Sequence, residues 1–143
     1  MNGRDFLPAA RRIANGTDEA DWRSAASRAY YAAFHAARDL LSALRFRTPR
    51  ADRAHNYLYA RLNNCGEPSV RKAATLLNIL RTLRNVADYD VRSPFSARDA
   101  ASSVRDAGET HPILDALTPT QRTQIAGAMK VYEQQIGDMT WRP

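Results

Sequence analysis

Arg23-Ser24-Ala25-Ala26-Ser27-Arg28-Ala29-Tyr30-Tyr31-Ala32-Ala33-Phe34-His35-Ala36-Ala37-Arg38 lies inside a longer segment in which Trp22, Ala26, Ala29, Tyr30, Ala33, Ala37, Leu40, Leu41 and Leu44 recur at three- and four-residue steps. That is the period of one apolar stripe on an α-helix. The spacing predicts a helix from a cap at Thr17 or Asp18 to about Arg45. Alanine at so many stripe positions lets neighbouring helices approach closely, which puts this helix at the centre of a bundle rather than at its edge.

Helical signals continue on both sides. A short helix is expected over Asp5 to Ala14, ending at Asn15-Gly16, a pair suited to a left-handed cap. Thr48-Pro49 reads as a cap followed by proline at the first helical position, opening a third helix through Tyr57, Leu58 and Leu62 to about Asn64, broken by Cys65-Gly66-Glu67-Pro68. Ser69 then caps a fourth with an apolar stripe of Ala73, Leu76, Ile79, Leu80, Leu83, Val86 and Ala87, and Tyr89 near its end. Ser93-Pro94 makes a turn. Ser96-Ala97-Arg98-Asp99 resembles a capping box for a fifth helix ending before Pro112, and Thr118-Pro119 opens a sixth, about 119–138, through Ile125, Met129 and Ile136. With almost no strand signal, no repeat and no long linker, the expected fold is all-α: an antiparallel helical bundle of five to six helices forming one domain over 1–143.

Composition narrows the function classes. The 143 residues carry 21 Lys+Arg against 15 Asp+Glu, a formal charge of +6, with a pI near 10.0. Such a balance attracts phosphate, acidic protein or anionic lipid without choosing among them. Of the basic residues 19 are Arg, which suits phosphate and carboxylate, but 25 Ala beside them also fit a GC-rich genome. The lone Cys65 leaves no disulfide or thiolate cluster, and no apolar run approaches the ~20 residues of a membrane span. The start Met1-Asn2-Gly3-Arg4-Asp5 is not a secretory signal, so the expected location is the cytoplasm, with no membrane partner. Gly-rich phosphate loops, Gly-x-Ser-x-Gly and His-x-x-x-His are absent, which disfavours nucleotide-dependent or serine-hydrolase chemistry and leaves no metal site and no cofactor expected.

Two polar strips stand out. On the second helix Ser24, Arg28, Tyr31, His35, Arg38 and Ser42 fall together, roughly opposite the apolar stripe. Solvent, a dimer partner or packed helix, and RNA each give such a strip, although solvated faces favour Glu, Lys and Gln. On the fourth helix Arg81, Arg84, Asn85 and Asp88 gather, with Arg84 and Asp88 one turn apart. They form either a surface ion pair or a guanidinium held for a phosphate or a phosphorane transition state, with Tyr89 adding a hydroxyl. His55, beside Asn56 and Tyr57, is either a satisfied polar side chain or a proton-transfer group, and His111 reads as a loop residue.

The Tyr-Tyr segment quoted above resembles the HEPN family (higher eukaryotes and prokaryotes nucleotide-binding), in which a similar Ser-Arg-Ala-Tyr-Tyr-Ala-Ala-Phe-His stretch opens the bundle. Leu83-Arg84-Asn85-Val86-Ala87-Asp88-Tyr89-Asp90 is similar to the Arg-x-x-Ala-Asp-Tyr signature of small stand-alone prokaryotic members, and the resemblance spans about Asp18 to Ala107. It implies a homodimeric bundle of toxin–antitoxin or defence systems, with a nucleotidyltransferase antitoxin as possible partner and RNA as possible ligand. Active members resemble metal-independent ribonucleases with Arg, four to six residues, then His. One toxin subgroup carries Arg-x4-His-x-Asp-Tyr; on that pattern Arg81 takes the Arg position, Asp88 and Tyr89 the Asp-Tyr, and Val86 stands where the His belongs. Valine moves no proton. The resemblance therefore implies a module with a degenerate nuclease motif that binds RNA, nucleotide or partner through Arg28, Tyr31, Arg38, Asn85 and His55. The alternative is a ribonuclease toxin using Arg81 or Arg84, Asp88, and His35 or His55, and Tyr89 is the candidate for modification by the transferase.

Overall fold

Alanine determines how the helices meet. Ala25, Ala26, Ala29, Ala32, Ala33, Ala36 and Ala37 are all at most 1% exposed, so the helix that carries them is enclosed on more than the one face its stripe predicts. The computed structural model describes residues 1–143. A 3₁₀ turn at Gly3–Asp5 leads into α1 (Phe6–Ala14), followed by α2 (Glu19–Ala43), α3 (Arg53–Asn63), α4 (Pro68–Tyr89), α5 (Ala97–Asp115) and α6 (Pro119–Ile136). The fold is the all-helical bundle expected. Helix α2 packs against α1, α3, α4 and α5, and α6 touches only α3. Small side chains let four neighbours share one central rod, and Tyr30, Leu41, Leu58, Leu62 and Leu80 fill the space between them.

The capping box read at Ser96/Asp99 forms, and Thr118, read as opening the sixth helix, does so within a second box that Gln121 closes. Elsewhere tertiary packing moves the boundaries. The Thr48-Pro49 start is four residues early: Ala51 is left-handed (φ 59°), which a helix cannot pass through, so α3 begins at Arg53 and residues 48–52 form an irregular rim. Pro68, not Ser69, opens α4. Gly16 is not left-handed; it is needed because a Cβ there would collide with Asp21, and its carbonyl accepts from Trp22 Nε1 at 2.9 Å. Helix α5 continues past Pro112, since Leu114 beyond it is buried and Ile113 packs on the core, and this burial outweighs the hydrogen bond that proline cannot donate. His111 is consequently helical, its Nε2 3.1 Å from the Ala32 carbonyl, and not in a loop. In α4, Ala74 and Leu77 face inward and Ile79 outward, because α2, α3 and α5 together bury a broader face than one stripe.

The C-terminal helix is fixed by charge rather than by a large apolar face. Glu133 is fully buried and accepts from Arg61 Nε (3.2 Å) and Nη2 (3.0 Å), from the Thr140 (2.8 Å) and Trp141 (3.1 Å) backbone N–H groups, and from the Thr140 hydroxyl. Burial pushes its carboxyl pKa up, but the bonds from Thr140, Arg61 and Trp141 outweigh that and hold it below the usual range. Arg61, 4% exposed at its side chain, also reaches Asp138 at 2.9 Å and lies 3.9 Å over the Tyr57 ring. Glu133→Ala removes the buried carboxylate, leaves Arg61 only its half-exposed partner Asp138, and is expected to cost about 3–5 kcal/mol in urea unfolding. Asp138→Ala, at an exposed partner, should cost under about 1 kcal/mol. Equal small losses would show that the buried pair does not secure α6.

Candidate functional site

Arg84 joins the two polar strips. It projects from α4, with its side chain only 12% exposed, and donates from Nε to Asp88 Oδ2 at 3.1 Å, from Nη1 to Asn85 Oδ1 at 3.1 Å and from Nη2 to the Tyr31 hydroxyl at 2.7 Å. A longer contact, 3.4 Å, runs from Nη2 to the hydroxyl of Tyr89, whose ring the guanidinium also faces at 5.2 Å. Asp88 is tied to α2 by the buried Ser27 hydroxyl at 3.1 Å. The pair is therefore part of a lattice across α2 and α4 rather than an isolated surface bridge, and it fixes the guanidinium plane with one Nη1–H and the weak Tyr89 bond left to offer.

A residue that the sequence reading passed over holds this lattice in place. Arg23 donates to the Val86 and Ala87 carbonyls at 3.0 Å, to Asp90 O at 3.1 Å and to Ser93 O, and is anchored by Glu19 at 2.8 Å. These carbonyls belong to the last turn of α4 and the turn that follows it, where a positive charge also meets the negative end of the helix dipole. The last turn, which carries Asp88 and Tyr89, is thus fastened to the start of α2. Arg23 sits in the segment quoted first, but nothing local in sequence indicates that its target is some 65 residues away.

Beside Arg84 a groove of about 520 Å³ runs between α2, the start of α3 and the 48–52 rim, lined by Tyr31, Phe34, Arg38, Arg50, His55 and Arg84 together with residues of that rim. It offers three guanidinium groups against one carboxylate, Asp52. Arg38 lies 5.9 Å over Phe34. Rim residues Thr48 to Asp52, which the sequence reading gave to the start of the third helix and not to a site, follow from the late start of α3.

The structure separates the histidines. His55 joins the groove; its Nδ1 is hydrogen-bonded to the Tyr30 hydroxyl, and no protein group bonds its Nε2. Burial, with Arg81 and Arg84 nearby, lowers its pKa, so the imidazole is neutral near pH 7. Burial also raises the pKa of Tyr30, which keeps its proton and can donate it to His55. His35 lies instead under the N-terminal turn, stacked on Phe6 at 5.7 Å and pressed against Gly3, outside the groove. Arg28 turns the same way, 5.1 Å over Phe6 and 6.0 Å over Tyr31. Arg81 is held by Asn56 of α3 at 2.6 Å and flanks the groove without lining it. Tyr89 is 73% exposed at the end of α4. No three His, Cys, Asp or Glu side chains lie close enough to hold a metal ion. Nor is any helix long and apolar enough to cross a membrane.

An alanine-centred helical bundle, with an Arg-Asp pair on one helix locked to a Tyr-Tyr segment on another, defines the class. A family model described as HEPN domain matches residues 2–115, so the chain belongs to the HEPN family. The match reaches beyond the resembling segment to include α1 and all of α5, and leaves out α6. No curated protein and no solved structure gives a significant match.

His35, His55 and His111 are each lowered chiefly by burial. Below their ordinary value of about 6.5 the unfolded chain binds these protons more readily than the folded one, so stability is full above it and falls as pH drops through the folded pKa values. Histidine-ring NMR titration should give three midpoints under about 6.5, and urea stability should decline between pH 7 and 5. A midpoint above that value at His55 would contradict the groove's electrostatics.

Proposed function

We propose that this HEPN protein is a binding module for the phosphates of single-stranded RNA, acting through the groove of Arg84, Arg38, Arg50, Tyr31 and His55. The carrying observation is the Arg84 guanidinium, held in plane by Asp88, Asn85 and Tyr31 at the edge of that groove. A pre-oriented fork binds phosphate with less loss of side-chain freedom than a loose surface arginine. The rings of Tyr31, Phe34 and His55 supply faces on which unpaired bases stack. Family membership supports a toxin–antitoxin or defence setting, a homodimer, and a nucleotidyltransferase partner for which exposed Tyr89 is the modification target.

One observation favours a second reading, the ribonuclease. His55 stands in the same groove as Arg84, neutral and with Nε2 unpaired. Attack of a 2′-OH on the adjacent phosphorus needs a base to take the 2′ proton, an acid to protonate the departing 5′ oxygen, and a cation on the phosphorane. Arg84 fits the last role and His55 one of the first two. The groove holds one imidazole and no second histidine for the other proton transfer, which is why binding is the preferred reading.

Fluorescence anisotropy with single-stranded RNA in EDTA separates these. Arg84→Ala should weaken binding and reduce the slope of log K against log salt by roughly 0.7 to 1. Unchanged affinity and slope would remove the groove from function. Intact RNA after prolonged incubation is expected; cleavage that is lost in His55→Ala would establish the nuclease instead.

A further inference from the structure

A second basic cleft, of about 420 Å³, lies next to the Arg84 groove and shares Arg38 and Thr48 with it. Its charged lining is Arg38, Arg45, Arg47 and Arg142, and no acidic side chain lines it. The backbone explains why these arginines converge. Phe46 forms an isolated antiparallel bridge with Trp141, flanked by Arg142 N–H to Arg45 O at 3.0 Å and Arg47 N–H to Thr140 O at 3.3 Å. In such extended backbone alternate residues point to opposite sides. Phe46, 1% exposed, takes the core side and Arg47 the outer one; Arg45, which precedes the extended stretch, is exposed as well, beside Arg142 of the tail.

Arg45 stands at an uncommon backbone position. It closes α2 in the left-handed conformation (φ 72°), with Phe46 N–H bonded to Leu41 O at 2.9 Å and its own N–H to Ser42 O at 3.0 Å. That is the helix-ending position where glycine fits without strain. An arginine in that conformation adds a guanidinium to the cleft beside Arg38, Arg47 and Arg142. Thr48, at the seam of the two clefts, has a hydroxyl with no protein hydrogen-bond partner.

We infer that this cleft is a second phosphate subsite, and that a single RNA strand runs from the Arg84 groove across Arg38 to Arg45, Arg47 and Arg142. The inference rests on the RNA-binding reading above. It assigns a role to the C-terminal tail, which lies outside the HEPN match. The aromatic faces of the first groove favour nucleic acid over an acidic peptide as the occupant.

The test is binding of labelled single-stranded RNA of 3 and of 12 nucleotides, in EDTA, to the full chain. The triple variant R45G/R47A/R142A should lose tenfold or more in affinity for the 12-mer and about 2 from its salt slope, at roughly 0.7 per lost contact. Its 3-mer affinity should stay within about twofold, whereas R84A weakens both. R45G alone should keep or raise the Tm while losing 12-mer affinity, and R47A, at an exposed position, should lose it without touching the turn. Wild-type slope and 12-mer affinity in the triple variant, with R84A still impaired, would overturn the second subsite and leave the first standing. Failure of the wild type to bind either RNA would overturn both. Polyglutamate displacing the 12-mer at equal concentration would overturn the choice of nucleic acid.

Discussion

The close approach of α4 to α2 across an alanine surface is the constraint on which the remaining structure depends. Ala26 and Ala87 are buried beside each other's helices, with Trp22, Leu83, Val86 and Phe95 around them. Only at that separation does Ser27 reach Asp88 and Tyr31 reach Arg84. A larger side chain on the α2 face would force the helices apart or off-rotamer, and a lattice of bonds near 3 Å tolerates little of either. Packing of the smallest apolar residue thus sets the geometry of the most polar part of the molecule.

Charge does different work at the two ends of the bundle. Around Arg61 and Glu133 the groups are enclosed and mutually satisfied, with no chemistry left to offer, and they secure α6. Around Arg84 the guanidinium is oriented but incompletely used, and it borders open space. Arg23 connects structure to site by pinning the carbonyls that end α4. The large arginine excess is therefore not one property: Arg23 and Arg61 are structural, Arg84 is positioned, and Arg38, Arg45, Arg47, Arg50 and Arg142 line open clefts.

What was legible in the sequence is what is local. Stripe spacing gives α2 its place, and the i, i+4 spacing of Arg84 and Asp88 gives their pairing. The Ser96/Asp99 capping box marks the start of α5, and Thr118-Pro119 marks that of α6. What was not legible depends on contacts between distant segments. Val86 in place of a motif histidine is visible, but the presence of His55 rather than His35 beside Arg84 follows from where α3 crosses α2 and from Phe6 covering His35. The late start of α3, which builds the groove rim, turns on the left-handed Ala51, a conformation that alanine does not announce. Arg45 and Arg142 meet only because the tail folds back on the α2–α3 loop.

The most direct test of the claim that the oriented Arg84 belongs to an RNA site is to watch its side chain. In a ¹⁵N spectrum of the arginine Nε–H groups, titrated with single-stranded RNA in EDTA, the account predicts that Arg84 and Arg38 shift together and saturate at one concentration. Arg4, paired with Asp115 of α5 beside Asp39 on another face of α2 and lining neither cleft, should stay fixed. An unmoved Arg84 resonance while RNA binds elsewhere on the chain would contradict the account.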